Sequence, residues 1–232
     1  DVDHLRYNVQ DDLARITERT ACVIAETVQA EAGVLRPDPS WLQALRKRCD
    51  ETGALLVLDE IQVGFGRTGH LWGFEAFGIV PDILMLGKAL GGGMPLGAFI
   101  ASRERMWALT HDPVLGHITT FGGHPVCCAA GLAGFNALLE ERMVETVKEK
   151  GSLFHQYLQH PRIKEVRSAG LLMAAEFHSE EECRAVIKHC LANGLITDWF
   201  LFAPQCLRIA PPLTMTTSEI EQACKIILEA LG

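Results

Sequence analysis

Residues 55–97 read LLVLDEIQVGFGRTGHLWGFEAFGIVPDILMLGKALGGGMPLG, and the fold is decided here. Leu55-Leu56-Val57-Leu58 is a short apolar run that ends abruptly in two acids, Asp59 and Glu60. Such a run, bounded by charge and rich in branched residues, predicts a strand buried on both faces of a parallel sheet. The acids then stand at its carboxyl end, where open α/β sheets bind their ligands. A second apolar run, Pro81-Asp82-Ile83-Leu84-Met85-Leu86, ends in Gly87-Lys88 and the turn Gly91-Gly92-Gly93. A carboxylate and a lysine are therefore each delivered by a strand end.

Two nucleotide chemistries could use these pieces, and each lacks a part. Gly64-Phe65-Gly66-Arg67-Thr68-Gly69 matches G-x-G-x-x-G letter for letter. That fingerprint needs glycines that follow the strand directly and open a helix, so that pyrophosphate meets the helix N-terminus. Here Glu60 to Val63 intervene, and Leu71-Trp72-Gly73-Phe74 is a poor helix. LLVLDE also has the look of the strand and acids that hold magnesium in an ATPase, yet the phosphate loop G-x-x-x-x-G-K-[ST] is absent.

A third chemistry accounts for more residues. The run from Asp59 to Gly69, DEIQVGFGRTG, and the run from Pro81 to Gly97, PDILMLGKALGGGMPLG, occur in this order. Together they resemble the centre of the class III aminotransferases, which include ornithine, acetylornithine, lysine and 4-aminobutyrate aminotransferases. The resemblance extends over nearly the whole chain. It implies the fold-type-I architecture, α/β with a mostly parallel sheet in a large domain and a small α+β C-terminal domain, and pyridoxal 5'-phosphate as cofactor. Asp59 corresponds to the acid that keeps the pyridine nitrogen protonated, which makes the ring an electron sink. Ile61 corresponds to the residue on the ring face and Gln62 to the one near the ring hydroxyl. Lys88 corresponds to the lysine that forms the Schiff base and shuttles the proton.

Three further stretches resemble the same family. Glu26-Thr27-Val28-Gln29-Ala30-Glu31-Ala32-Gly33-Val34 resembles E-P-x-Q-G-E-x-G-V, with Glu31 in place and with Thr27 and Ala30 replacing proline and glycine. Thr119-Thr120-Phe121-Gly122-Gly123-His124-Pro125 resembles T-[FY]-G-G-N-P, with His124 replacing asparagine. Thr120 thereby corresponds to the threonine that reaches the cofactor phosphate of the neighbouring subunit, which implies a homodimer with shared sites. Leu207-Arg208-Ile209-Ala210-Pro211-Pro212-Leu213 resembles L-R-x-x-P-P-L, whose arginine grips a substrate carboxylate. A guanidinium suits that task because it clamps a carboxylate directionally.

The pattern of elements predicts a large-domain portion over 1–150 and a small α+β domain over 151–232. Ala21–Ala25 reads as a buried strand, Ser40 as the cap of a helix ending before Gly53, and 126–150 as one long helix with a small early face. The resemblance implies that this face makes dimer and interdomain contacts. Short strands are expected at 163–166, 171–177, 195–197 and 207–210. Helices capped by Ser179 and Thr216 are expected in between and at the end.

Composition narrows the partners. A net charge of −8 argues against a nucleic-acid groove or an anionic membrane surface. No apolar run approaches the ~18 residues of a membrane span, and DVDHLRYNVQDD does not resemble a signal peptide. The eight cysteines and nine histidines show no ligand spacing, so no metal is expected and the thiols read as reduced and cytoplasmic.

The expected reaction is transfer of a terminal amino group from an amino acid or amine to 2-oxoglutarate. Glu31 and Arg208 together favour it, since Glu31 can cover the arginine while a donor without an α-carboxylate is bound. Two alternatives stay open: an aminomutase or racemase of the same family, and a non-catalytic protein. The second arises because class III aminotransferases are much longer, and the resemblance implies that this chain is their C-terminal portion.

Overall fold

The computed structural model describes residues 1–232. Its contacts divide the chain into two compact units. One comprises Asp1–Thr27, Pro37–Phe65 and Trp72–Glu140, the other Val28–Arg36, Gly66–Leu71 and Glu141–Gly232. The expected junction at 150/151 falls inside a helix, and two early segments group with the C-terminal part.

In the first unit, β1 (Cys22–Glu26), helix α1 (Pro39–Thr52), β2 (Leu55–Asp59), β3 (Ile83–Leu86) and β4 (Ala98–Ala101) build a sheet of order β1-β2-β3-β4. β1, β2 and β3 run parallel, and β4 is antiparallel to β3. The apolar run of β2 buries Leu56, Val57 and Leu58, as its sequence predicts. β1 differs: it lies at the sheet edge, and Ile24 is 65% exposed where a buried strand was expected.

α1 places Trp41, Leu42, Leu45 and Cys49 on one face, the spacing of an amphipathic helix. They pack with Leu56, Leu58, Phe77 and Ile79, and each fully buried leucine contributes about 1.5–3 kcal/mol. The cap sits two residues ahead of Ser40. Asp38 Oδ1 accepts from Ser40 N at 2.8 Å, because Pro39 suits the first helical position, where no N–H is needed.

The predicted helix 126–150 is two helices. α2 (Arg103–Trp107) precedes α3 (Pro125–Glu140), which stops short, and α4 (Met143–Tyr157) starts after Arg142, whose φ is 52°. Arg142 Nε donates to Glu145 Oε1 at 2.8 Å, a local bond that holds the new helix start. The small face of α3 has a job within its own unit. A Cβ on Gly131 would run into the Leu90 carbonyl, and one on Gly92 into the Ala130 carbonyl. Glycine on both sides thus seats the turn after Lys88 directly on the helix backbone.

The second unit holds α4, β5 (Glu165–Ala169), β6 (Leu172–Glu176), α5 (Glu180–Ala192), β7 (Asp198–Phe200), β8 (Ala203–Ile209) and α6 (Thr217–Glu229). Its antiparallel sheet has the order β5-β6-β8-β7. Phe154, Leu171, Met173, Phe177, Leu207 and Ile220 lie at its centre. Ser179 and Thr216 cap α5 and α6 as expected, the latter with a reciprocal capping box to Glu219. β7 begins three residues later than predicted. Leu195 N still donates to Cys190 O at 2.9 Å, whereas Thr197 Oγ1 already donates to Arg208 O in β8 at 2.5 Å.

Candidate active site

Asp59 is the last residue of β2 and lies in register with Met85 of β3. Glu60 N donates to Met85 O at 3.0 Å, so the two strands stay paired to their carboxyl ends. Asp59 Oδ1 accepts from Ile61 N at 2.9 Å, which folds the chain sharply after the strand. Lys88 leaves β3 at the same edge. A Cβ on Gly87 would lie 3.2 Å from Ile61 Cγ2, so the Ile61 side chain rests on the backbone that carries Lys88. Asp59, Ile61 and Lys88 therefore form one strand-end cluster, with half-buried Gln62 on the same turn. Lys88 is exposed and has φ 45°, a left-handed backbone that a side chain rarely adopts and that collects at functional sites.

The cluster is braced by Glu60, whose role the sequence did not reveal. Its carboxylate is fully buried and accepts from Thr27 Oγ1 at 2.8 Å, Gly73 N at 2.7 Å and Phe74 N at 2.7 Å. Burial pushes this carboxyl up from its ordinary pKa, and the three donors oppose that shift. The arrangement also explains Thr27: where the family has proline, this chain has a hydroxyl donor for Glu60. It removes the dinucleotide reading as well. The glycines of 64–69 open no helix, and the next helical turn, Gly73–Phe77, already gives its first N–H groups to Glu60.

Thr120 lies in the exposed segment ahead of α3. His124 takes up the position of the family's asparagine at the start of that helix, its Nδ1 accepting from Val126 N at 3.3 Å. A ring nitrogen thus serves as the acceptor at this helix start.

The second unit brings Glu31 and Arg208 together. Arg208 Nη2 donates to Glu31 Oε1 at 3.0 Å and to Oε2 at 2.8 Å. Glu31 is held from its other side by Leu201 N, which donates to Oε2 at 2.9 Å, and by Phe202 N, which donates to the Glu31 carbonyl at 3.0 Å. The segment carrying Glu31 turns at Gly33, φ 87°, whose carbonyl accepts from Arg167 Nε at 2.8 Å. Buried Ala30 starts that turn, its carbonyl accepting from Gly33 N and Val34 N.

Two more residues near Arg208 went unassigned in the sequence. Arg67, inside the glycine motif, donates through Nη1 to Pro211 O at 2.5 Å and to Leu171 O at 3.2 Å, which pins the turn after Arg208. Asp198 Oδ1 is 2.9 Å from Arg208 Nε. Only the strand register could have revealed that pair, because it sets Asp198 opposite Arg208.

No group of three or more His, Cys, Asp or Glu side chains is placed to hold a metal ion. All eight cysteines are free, and no helix is long and apolar enough to cross a membrane.

Comparison with known proteins covers both units. The profile described as Aminotransferase class-III matches residues 3–231. The chain is similar to the acetylornithine aminotransferase of Caldanaerobacter subterraneus, 37% identical over 222 residues, covering 94% of this chain and 55% of that protein. It is similar also to the putrescine aminotransferase of Pectobacterium atrosepticum, 41% identical over 237 aligned positions, covering 99% of this chain and 50% of the relative. Among solved structures, the ornithine aminotransferase of Toxoplasma gondii ME49 superposes with a TM-score of 0.89 at 30% identity, covering 97% of this chain and 55% of that one. Ornithine delta-aminotransferase of Plasmodium falciparum gives 0.88 at 31% identity, covering 98% and 60%. The chain spans about half the length of the curated relatives it matches. With a profile match over almost every residue and the strand-end cluster in place, the chain belongs to the class-III aminotransferases.

Proposed function

We propose that the complete protein is a pyridoxal-phosphate-dependent aminotransferase that moves a terminal amino group from an amino acid or amine to 2-oxoglutarate. The residues fit that cofactor. Asp59 offers a carboxylate at a strand end, Lys88 an exposed primary amine from the adjacent strand, and Ile61 an apolar side chain beside the lysine's backbone. When bound, pyridoxal phosphate supplies an electron sink for the bonds at the carbon bearing the amine. Asp59 would hold a proton on the ring nitrogen, and Gln62 would face the ring hydroxyl. Lys88 Nζ would anchor the group and carry the proton taken from the substrate carbon. Thr120 would offer its hydroxyl to a phosphate oxygen of a neighbouring subunit.

The observation that carries the choice of donor is the Glu31–Arg208 pair at 2.8 and 3.0 Å. An uncovered guanidinium would seize an amino acid by its α-carboxylate and present the wrong amine. Glu31 closes that option while a terminal amine reacts. An arriving 2-oxoglutarate replaces Glu31 with its own carboxylate. The names of the relatives support this reading, since acetylornithine, putrescine and ornithine aminotransferases are all among them.

Single-turnover spectra of the two half-reactions test it. Glu31→Ala is expected to speed the half-reaction with glutamate and slow that with the terminal-amine donor. The ratio should shift about tenfold, ~1.4 kcal/mol. An equal change in both half-reactions would reduce Glu31 to a structural residue and remove the case for a terminal-amine donor.

A further inference from the structure

Arg208 and Glu31 are both gripped by one short segment, Asp198 to Phe202. Asp198 Oδ1 meets Arg208 Nε at 2.9 Å, the Trp199 carbonyl accepts from Nη2 at 3.2 Å, and the Phe200 ring lies 4.5 Å below the guanidinium carbon. The next two residues turn their N–H groups onto Glu31. The strand register makes this possible: Asp198 pairs with Arg208 across β7 and β8, and an irregularity between Trp199 and Phe200 turns the chain toward Glu31. Both Glu31 oxygens accept from Nη2, whereas Asp198 forms an ion pair with Nε in which the Nε–H makes no hydrogen bond.

We infer that Asp198 is a positioning residue for the acceptor, one that keeps Arg208 aimed while Glu31 is withdrawn. The inference rests on the reading that Arg208 receives the acceptor's carboxylate. Glu31 must leave for that carboxylate to bind, and its departure strips the guanidinium of its strongest hydrogen bonds at the moment it has to be in position. Asp198 and the Phe200 face stay behind. With the Trp199 carbonyl still on Nη2, they hold the group in place while the newcomer takes over from Glu31, and a guanidinium held in place binds a carboxylate directionally. The swap is also neutral in charge. One carboxylate replaces another on Nη2 while Asp198 remains on Nε, so Arg208 is never left as an uncovered cation.

The test uses the full-length holoenzyme with 2-oxoglutarate as acceptor and putrescine, which brings no carboxylate, as donor. Asp198→Ala is expected to raise KM for 2-oxoglutarate by about five- to tenfold, the scale on which a lost orienting contact acts. The putrescine half-reaction should change by less than about twofold. Asp198→Asn removes the charge of the ion pair and should lose as much as Asp198→Ala, whereas Asp198→Glu keeps it and should recover part of the loss. An unchanged KM for 2-oxoglutarate overturns the proposal, and so does an equal fall in both half-reactions. Arg208→Ala separates the two levels. If it raises the acceptor KM while Asp198→Ala does not, only the role of Asp198 fails; if it has no effect, the carboxylate-binding reading fails with it.

Discussion

The Thr27 hydroxyl donates to Glu60 Oε1 at 2.8 Å, and both residues are completely buried. Glu60 directly follows Asp59, so this bond ties the end of β1 to the turn at the end of β2. Thr27→Val removes the donor and keeps the shape. It should cost about 1–3 kcal/mol, the penalty for a buried polar group left short of a partner. Thr27→Ser should restore most of it. Burial raises the Glu60 carboxyl in the folded state, so the stability linked to its protonation is present at low pH and falls as pH rises above the ordinary carboxylate value of about 4.3. Losing a donor extends that fall. The gap between parent and Thr27→Val, followed by urea unfolding, should therefore be wider at pH 8 than at pH 5. A gap that does not vary with pH would show that Thr27 acts through packing alone.

Asp82 behaves in the opposite sense. It accepts from Leu56 N at 2.9 Å and pairs with Arg46 at 2.7 Å and Arg105 at 2.8 Å, so one carboxylate joins α1, β2 and α2 at the start of β3. Burial alone would raise its pKa, but the Leu56 N–H and the two guanidiniums outweigh that and hold it below the usual range. The stability it contributes is present above its unfolded value, about 3.9, and is lost as pH falls through the folded value. Asp82→Asn should cost about 1–3 kcal/mol at pH 7, and the deficit should shrink toward pH 3. Equal deficits at both ends of the titration would rule out a role for its charge.

Shared sites make a separate prediction for Thr120. If its hydroxyl serves a neighbour's phosphate, Lys88→Ala and Thr120→Val subunits should complement after exchange. One site of each mixed dimer would collect both defects and the other neither, so activity should rise above either parent. Failure to complement, with exchange demonstrated and Thr120→Val itself strongly impaired, would place each site within one subunit.

The strands that carry Asp59 and Lys88 were legible because each ends in chemistry: an apolar run, then an acid or a glycine and an amine. The capped helices α5 and α6 were legible for a similar reason, since Ser179 and Thr216 announce them locally. What escaped was decided by contacts distant in sequence. The break at Arg142 has no glycine or proline to mark it. Asp198 reads as a loop acid until β7 is laid against β8 with its actual start. Glu60 reads as a solvated strand end until Thr27 and the 73–74 backbone close around it.

The composition of the second unit from three separate segments bears on how the chain acquires its structure during synthesis. Val28–Arg36 leaves the ribosome more than a hundred residues ahead of β8, which carries its partner Arg208. At roughly 5–20 residues per second, Glu31 waits on the order of ten seconds or more for the arginine it will cover. During that interval the sheet holding Asp59 and Lys88 can already form, because β1 to β4 are complete by Ala101. The sheet that carries Asp59 and leads into Lys88 can thus form first, and the Glu31–Arg208 pair is made later.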